Sequence, residues 1–228
     1  MELKARLADV DARIADAARS AGRAPADITR IVVTKFHPAT LVRELHALGV
    51  RDVGENRQQE LTAKRGELPD LTDLRWHFVG QAQTNKARAI RQAAAVVHSV
   101  DRSRLADALD AAGAAGGDVL DVLLQVNLTD DAGRGGTSPD EVAGLAEHIV
   151  TRCPTLRLRG VMGVAPLDEP AAAAFARLAA AGERVRTVAP DATWMSAGMT
   201  GDFSEAIAAG ATHLRIGSAI TGPRPVHG

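Results

Sequence analysis

The chain has 228 residues, of which 46% are hydrophobic, which suits one large α/β domain or two small ones with a sizeable core. Its 27 basic and 28 acidic residues nearly cancel, which argues against a nucleic-acid footprint or an acidic tail. Cys153 is the sole cysteine, so no intrachain disulfide forms and a reducing compartment is expected. No apolar run approaches the roughly 20 residues of a membrane span, and the mixed-charge N-terminus lacks an apolar signal segment. A soluble, cytoplasmic protein is expected, with no membrane partner.

The first segment places apolar residues at Leu3, Leu7, Val10, Ile14, Ala17 and Ala21, the spacing of a one-faced helix broken around Gly22 and Pro25. Short apolar strands then alternate with helical stretches. The expected strands are Ile28–Lys35, Val50–Asn56, Arg75–Gly80, Ala95–Asp101, Val119–Leu128, Leu156–Pro166, Thr193–Met199 and His213–Ile220. Helices are expected over Thr40–Leu48, Thr84–Ala93, Arg102–Ala112, Pro139–Arg152 and Ala171–Val188. Asp101 reads as the N-cap of the third of these. Ser138, with Pro139 and Glu141, reads as the start of the fourth, and Asp202-Phe-Ser-Glu205 resembles a capping box. The Thr129–Thr137 loop, with Asp130 and Asp131, is expected to be mobile. Roughly eight strands in β-α alternation predict a parallel sheet, and at this length a closed (β/α)8 barrel is favoured over an open doubly wound sheet. No composition shift marks a second domain, so residues 1–228 read as one.

Polar residues gather at the expected C-terminal strand ends, where a barrel carries its active site. Lys35 closes the first strand and is one of four lysines in an arginine-rich chain. A lysine buried there would have a lowered pKa, and a neutral amine condenses with an aldehyde. Ser196-Ala-Gly198-Met199-Thr200 and Gly217-Ser218 end the last two strands. Their backbone N–H groups suit a phosphate at the usual barrel site, tight turns being the alternative. An amine and an anion cradle in one mouth suggest pyridoxal 5′-phosphate (PLP), with Arg215 as partner of its ring nitrogen. A guanidinium only donates, so that nitrogen would stay unprotonated. The alternative for Arg215 is an ion pair inside the barrel. His77, in an apolar strand, reads first as a satisfied core histidine. Gly80–Lys86 looks like a degraded P-loop, but Asn85 and Ala87 replace its second glycine and its Ser/Thr, so nucleotide binding is not expected; the histidines lack metal-ligand spacing, and Cys153 reads as inert.

Nine short stretches resemble the pyridoxal phosphate homeostasis proteins, in order along nearly the whole chain. They are Val33-Thr-Lys35, Gly54-Glu-Asn-Arg-Gln-Gln-Glu60, Trp76-His-Phe-Val-Gly80, Gln83-Thr-Asn-Lys86, His98-Ser-Val-Asp101, Leu124-Gln-Val-Asn127, Arg159-Gly-Val-Met162, Ser196-Ala-Gly-Met-Thr200 and Arg215-Ile-Gly-Ser218. The resemblance implies a fold like the N-terminal barrel of alanine racemase, with Lys35 carrying PLP as an internal aldimine. It implies that Ser196, Gly198, Met199, Thr200, Gly217 and Ser218 hold the phosphate, that Arg215 faces the pyridine nitrogen, and that Asn56, His77 and Met162 line the pocket. Arg57 departs from the family's frequent tyrosine, Thr200 from its serine, and Phe36-His37 from a more polar pair. The expected role is PLP storage or delivery to PLP-dependent apo-enzymes by a monomer. The alternative is an amino-acid racemase. Two-base racemisation needs an acid–base group on each face of the substrate carbon. Such enzymes use a tyrosine that this chain does not contain, and a C-terminal domain for which no length remains after Arg224.

Overall fold

The computed structural model describes residues 2–113, 118–129 and 131–224. Eight parallel strands pair in sequence order and close, the first against the last. They are β1 (Thr29–Val33), β2 (Asp52–Glu55), β3 (Arg75–Phe78), β4 (Val96–Val100), β5 (Leu120–Gln125), β6 (Leu156–Met162), β7 (Trp194–Ser196) and β8 (His213–Ile216). Around them run α1 (Leu3–Ser20), α2 (Ala39–Ala47), α3 (Gln58–Glu67), α4 (Ala87–Ala93), α5 (Ser103–Ala111), α6 (Val142–Arg152), α7 (Ala171–Val188), α8 (Phe203–Ala208) and α9 (Ser218–Thr221). This is a (β/α)8 barrel preceded by one helix. Parallel strands buried on both faces require near-continuous apolar runs, and β4 (Val-Val-His-Ser-Val) is buried at every position.

The extra helix α1 buries Leu7, Val10, Ile14 and Ala18, spaced three or four apart. That helix packs against α8 and α9. The main core lies between sheet and helices. A smaller cluster of Val96, Leu123 and Met162 fills the barrel interior.

The strands are shorter than expected, mainly at their C-terminal ends. The apolar run continues past the last ladder bond because the same residues also line the mouth. Three expected helix starts are corrected. Arg102, not Asp101, is the N-cap of α5, and Asp101 instead pairs with Arg102. Ser138 Oγ donates to Glu141 Oε2 at 2.8 Å, but the contact closes a turn and α6 begins only at Val142. Asp202 makes no side-chain cap on α8. Its Oδ1 accepts the Met199 N–H at 2.6 Å, so the carboxylate ties down the preceding loop instead. The segment after β5 is pinned at its base, with Thr137 N–H donating to Gln125 O and Asn127 N–H to Thr137 O, both at 2.8 Å. Asp131 Oδ1 accepts the Gly133 N–H at 2.8 Å; Asp130 lies outside the described residues.

Candidate functional site

Lys35 stands two residues past the end of β1 and is exposed, so the burial expected for it is not found. The local turn explains this. Thr34 is the last buried residue, with its N–H on Gly54 O at 3.0 Å and its hydroxyl donating to Glu55 Oε1 at 2.6 Å. Phe36 then turns the chain out of the sheet with φ 68°. That left-handed conformation costs a bulky residue about 1–2 kcal/mol. It is held by the Phe36 N–H on Glu60 Oε2 at 2.8 Å, and by guanidinium groups of Arg57 and Arg224 at 5.1 and 3.8 Å from the ring centroid. Arg57 thus has a partner in Phe36, itself part of another departure from the family pattern. A Cβ built at Gly54 would meet Ile31, Val33 and Val79 side chains at 3.0–3.7 Å, which marks these residues as interior-facing. Lys35 shares the two-residue period of Ile31 and Val33, so its stem starts over the barrel opening.

The buried lysine is another one. Lys64 is 5% exposed, and its Nζ donates to Glu55 Oε1 at 2.6 Å and to Thr34 O at 2.8 Å. Burial raises the Glu55 pKa, with Lys64 opposing. Sequence reasoning passed over Lys64, although its i, i+3 spacing from Leu61 places both on the inward stripe of α3.

The glycine turns come together as expected from the strand order. The β7–β8 ladder continues past Ser196, with Ala197 N–H on His213 O at 3.0 Å and Arg215 N–H on Gly198 O at 2.9 Å. Gly198 has φ 93°, and a Cβ there would lie 2.7 Å from Ala206 Cβ, so only glycine fits this turn. Pairing of Val32 with Ile216 seats Gly217 beside Val33, and Ser218 opens α9. Gly198, Gly217 and Lys35 therefore follow β7, β8 and β1, three adjacent strands. Thr200 is half-buried and Met199 is exposed on the same rim.

Arg215 is buried beneath these turns. Its Nη1 donates to Ser196 Oγ at 2.7 Å and its Nη2 to Gly163 O at 2.9 Å. Burial pushes its pKa down to about 10, with Asp202 opposing, so it stays cationic at neutral pH. Among the described residues no carboxylate is in ion-pair contact with it, which leaves the expected alternative of an internal ion pair without a partner. Ser196 faces inward, its hydroxyl shared between Arg215 and His98 Nδ1 at 2.9 Å. His77 is fully buried and spends both ring nitrogens inside the barrel, on Asp52 Oδ1 and His98 Nε2, each at 2.9 Å. Met162, 2% exposed, packs with Val96 and Leu123 as a floor. Asn56 sits at the mouth with a buried Oδ1 that has no hydrogen-bond partner. A Cβ on Gly80 would strike Asn56 O at 2.0 Å, so the end of β3 closes tightly against it.

Two features lie elsewhere. A cavity of about 870 Å³, lined by Asn127, Arg134, Pro166 and Arg177 among others, opens between the loops after β5 and β6. On the outer surface Asp107, His148 and Cys153 bring one donor atom each within 4.8 Å of one another, a grouping their spacing did not reveal. Burial and the nearby carboxylates of Asp110 and Asp107 push the Cys153 thiol up to about 11.

A pyridoxal phosphate homeostasis protein of Pseudomonas aeruginosa is 45% identical over 221 residues, 96% of this chain and 94% of that protein. Its counterpart in Escherichia coli is 37% identical over 223 residues, 96% and 95% of the two chains. The chain belongs to the pyridoxal phosphate homeostasis protein family. The model of the alanine racemase N-terminal domain matches residues 7–225, which places this family within that wider one. PipY of Synechococcus elongatus, solved with PLP bound, superposes with a TM-score of 0.84 at 35% identity, over 97% of this chain and all of PipY. Alanine racemase of Corynebacterium glutamicum, 15% identical with a TM-score of 0.67, shares the fold over 61% of its length.

Proposed function

We propose that this member of the homeostasis protein family binds PLP as a carrier, holding it as a Schiff base on Lys35 for storage or delivery to apo-enzymes. The observation that carries the reading is the adjacency of an accessible lysine and the glycine turns of the last two strands, with the unpartnered Asn56 Oδ1 at the same mouth. Gly198, Thr200, Gly217 and Ser218 receive the phosphate through backbone N–H groups and hydroxyls, with Met199 on the rim. Arg215 keeps donors free after its bonds to Ser196 and Gly163 and meets the ring nitrogen. Ser196, His77 and Met162 support this set from below. PLP, when bound, supplies an aldehyde for the amine and an electron-withdrawing ring. A partner that only donates leaves the ring nitrogen unprotonated, which weakens that withdrawal and favours holding over catalysis. The absence of tyrosine from the chain argues the same way against two-base racemisation.

Purified protein should be yellow, and hydride reduction followed by peptide mapping should find the cofactor on Lys35. Cofactor on another lysine, or none bound, defeats the assignment. Amino-acid racemisation at about 1 per second or faster would replace the carrier with an enzyme.

A further inference from the structure

Five buried or half-buried side chains form one continuous line through the barrel. Asp52, at the N-terminal end of β2, meets His77 on β3; His77 meets His98 on β4; His98 meets Ser196 on β7; and Ser196 meets Arg215 on β8. The four contacts are 2.9, 2.9, 2.9 and 2.7 Å. His77, His98 and Ser196 are each 0% exposed. The line therefore joins the end of the barrel remote from Lys35 to the guanidinium under the mouth.

We propose that Asp52, His77, His98 and Ser196 are positioning residues, a one-way hydrogen-bond relay that holds Arg215 aimed at the ligand ring. The relay rests on the PLP reading for its purpose, but its direction follows from donor and acceptor chemistry once both buried imidazoles are neutral. Arg215 has only donors, and an ionised Asp52 has only acceptors. Hydrogen bonding to His77 keeps the Asp52 pKa below its ordinary value against the effect of burial. Asp52 must then accept from His77 Nε2–H. A neutral His77 accepts at Nδ1, so His98 donates from Nε2. A neutral His98 accepts at Nδ1, so Ser196 donates its single O–H there. The Ser196 oxygen keeps its lone pairs for Arg215. Every link points from the guanidinium to the carboxylate.

The neutrality of both imidazoles follows from complete burial, which disfavours a second proton on either. His213 stands 6.5 and 6.4 Å from the two rings, bonded to Thr212 Oγ1 and stacked on Trp194, and Arg75 adds a cation to the surroundings. Aligned links polarise one another in a low dielectric. Each presents its acceptor lone pair toward Arg215 and its hydrogen toward Asp52. The line thereby spreads countercharge to a buried cation that touches no carboxylate among the described residues, and it fixes Nη1 while leaving other N–H groups for the ligand. An inverted relay would leave Ser196 with its hydroxyl proton competing with Arg215 and would set His77 Nε2 lone pair against a carboxylate.

Nitrogen-15 NMR of histidine-labelled wild-type protein, without added PLP, tests the direction. His77 and His98 are both expected as the neutral Nε2–H tautomer at neutral pH. An Nδ1–H tautomer for either, or a doubly protonated His77, overturns the relay. Ser196→Ala, against Ser196→Thr, tests the purpose. The alanine should disturb the His98 tautomer, shift the visible absorption band of bound PLP, and weaken PLP binding about tenfold or more, the worth of a hydrogen bond to a charged group. The threonine keeps a hydroxyl and should restore all three. Unchanged affinity and band in Ser196→Ala overturns the positioning role. Wild-type protein that takes up no PLP overturns the carrier reading and the aim at a ring, while the tautomers separately decide whether the relay exists.

Discussion

Two lysines that lie near the end of β1 in space live in opposite surroundings. Lys35 is exposed over the mouth, with the Phe36 ring 6.0 Å from its Nζ. Lys64 is buried between α3 and the ends of β1 and β2, its three donors directed at Glu55 Oε1, Thr34 O and, at 3.7 Å, Glu60 Oε2. Burial alone does not select an amine for chemistry. The buried one is committed to a carboxylate and a carbonyl and serves as a prop. The accessible one is free to meet an aldehyde, and its position beside the glycine turns, not its desolvation, makes it the candidate.

The largest expected effect breaks this comparison outright. Lys35→Ala should abolish reducible attachment of PLP, measured by mass spectrometry after hydride treatment, whereas Lys64→Met should leave the label on Lys35. A label that moves to Lys64 reverses the assignment of the two amines. Next in size, Lys64→Met strands Glu55, which is 0% exposed, and should cost about 4 kcal/mol in denaturant unfolding. Adding Glu55→Gln should recover part of that loss; if it recovers none, the pair does not act as a unit.

The buried histidines of the barrel interior should make its stability depend on pH. His77, His98 and His213 all titrate below the ordinary histidine value when folded, because burial disfavours their charged forms, and His213 falls to about 3. Unfolded histidines bind protons near pH 6.5, so this stability is intact above 6.5 and is lost as pH falls toward the folded values. The slope is up to about 1.4 kcal/mol per pH unit for each histidine. Glu55 runs the other way, since its folded pKa lies above 4.5 and its protonation stabilises the fold as pH drops through that raised value. The net slope of unfolding free energy between pH 6.5 and 5.5 should remain positive, and a flat profile would show charged histidines inside. The smallest effect is at the rim. Arg57→Ala removes one of the three cations over Phe36 and should cost about 0.5–1 kcal/mol, as for an exposed cation–π contact.

Much of the site was legible because it lies at strand ends. The expected Ala171–Val188 helix matches α7 residue for residue, since a long one-faced stripe between two turn signals leaves little freedom. Lys35, Gly198 and Gly217 could be placed on one rim from strand order alone. Side-chain direction was not legible in the same way. Ser196 stands in a glycine-rich turn, the composition of an anion site, yet its hydroxyl points inward to Arg215 and His98. His98 is hidden in an apolar strand, and Asp52 falls inside the expected Val50–Asn56 strand with nothing in the sequence to mark its partner. Asp202, spaced like a helix cap, turns back to Met199 instead.

What the sequence determined by itself is the barrel and the rim, because alternation of strand and helix, and the residues ending each strand, are local facts repeated eight times. Tertiary structure alone decided which lysine is buried, and that an arginine cation is held by a hydroxyl and a carbonyl. Those outcomes depend on atoms brought together from β2, β3, β4, β7 and β8 across the closed interior, where desolvation and the one-way logic of donors and acceptors act only after the sheet has closed.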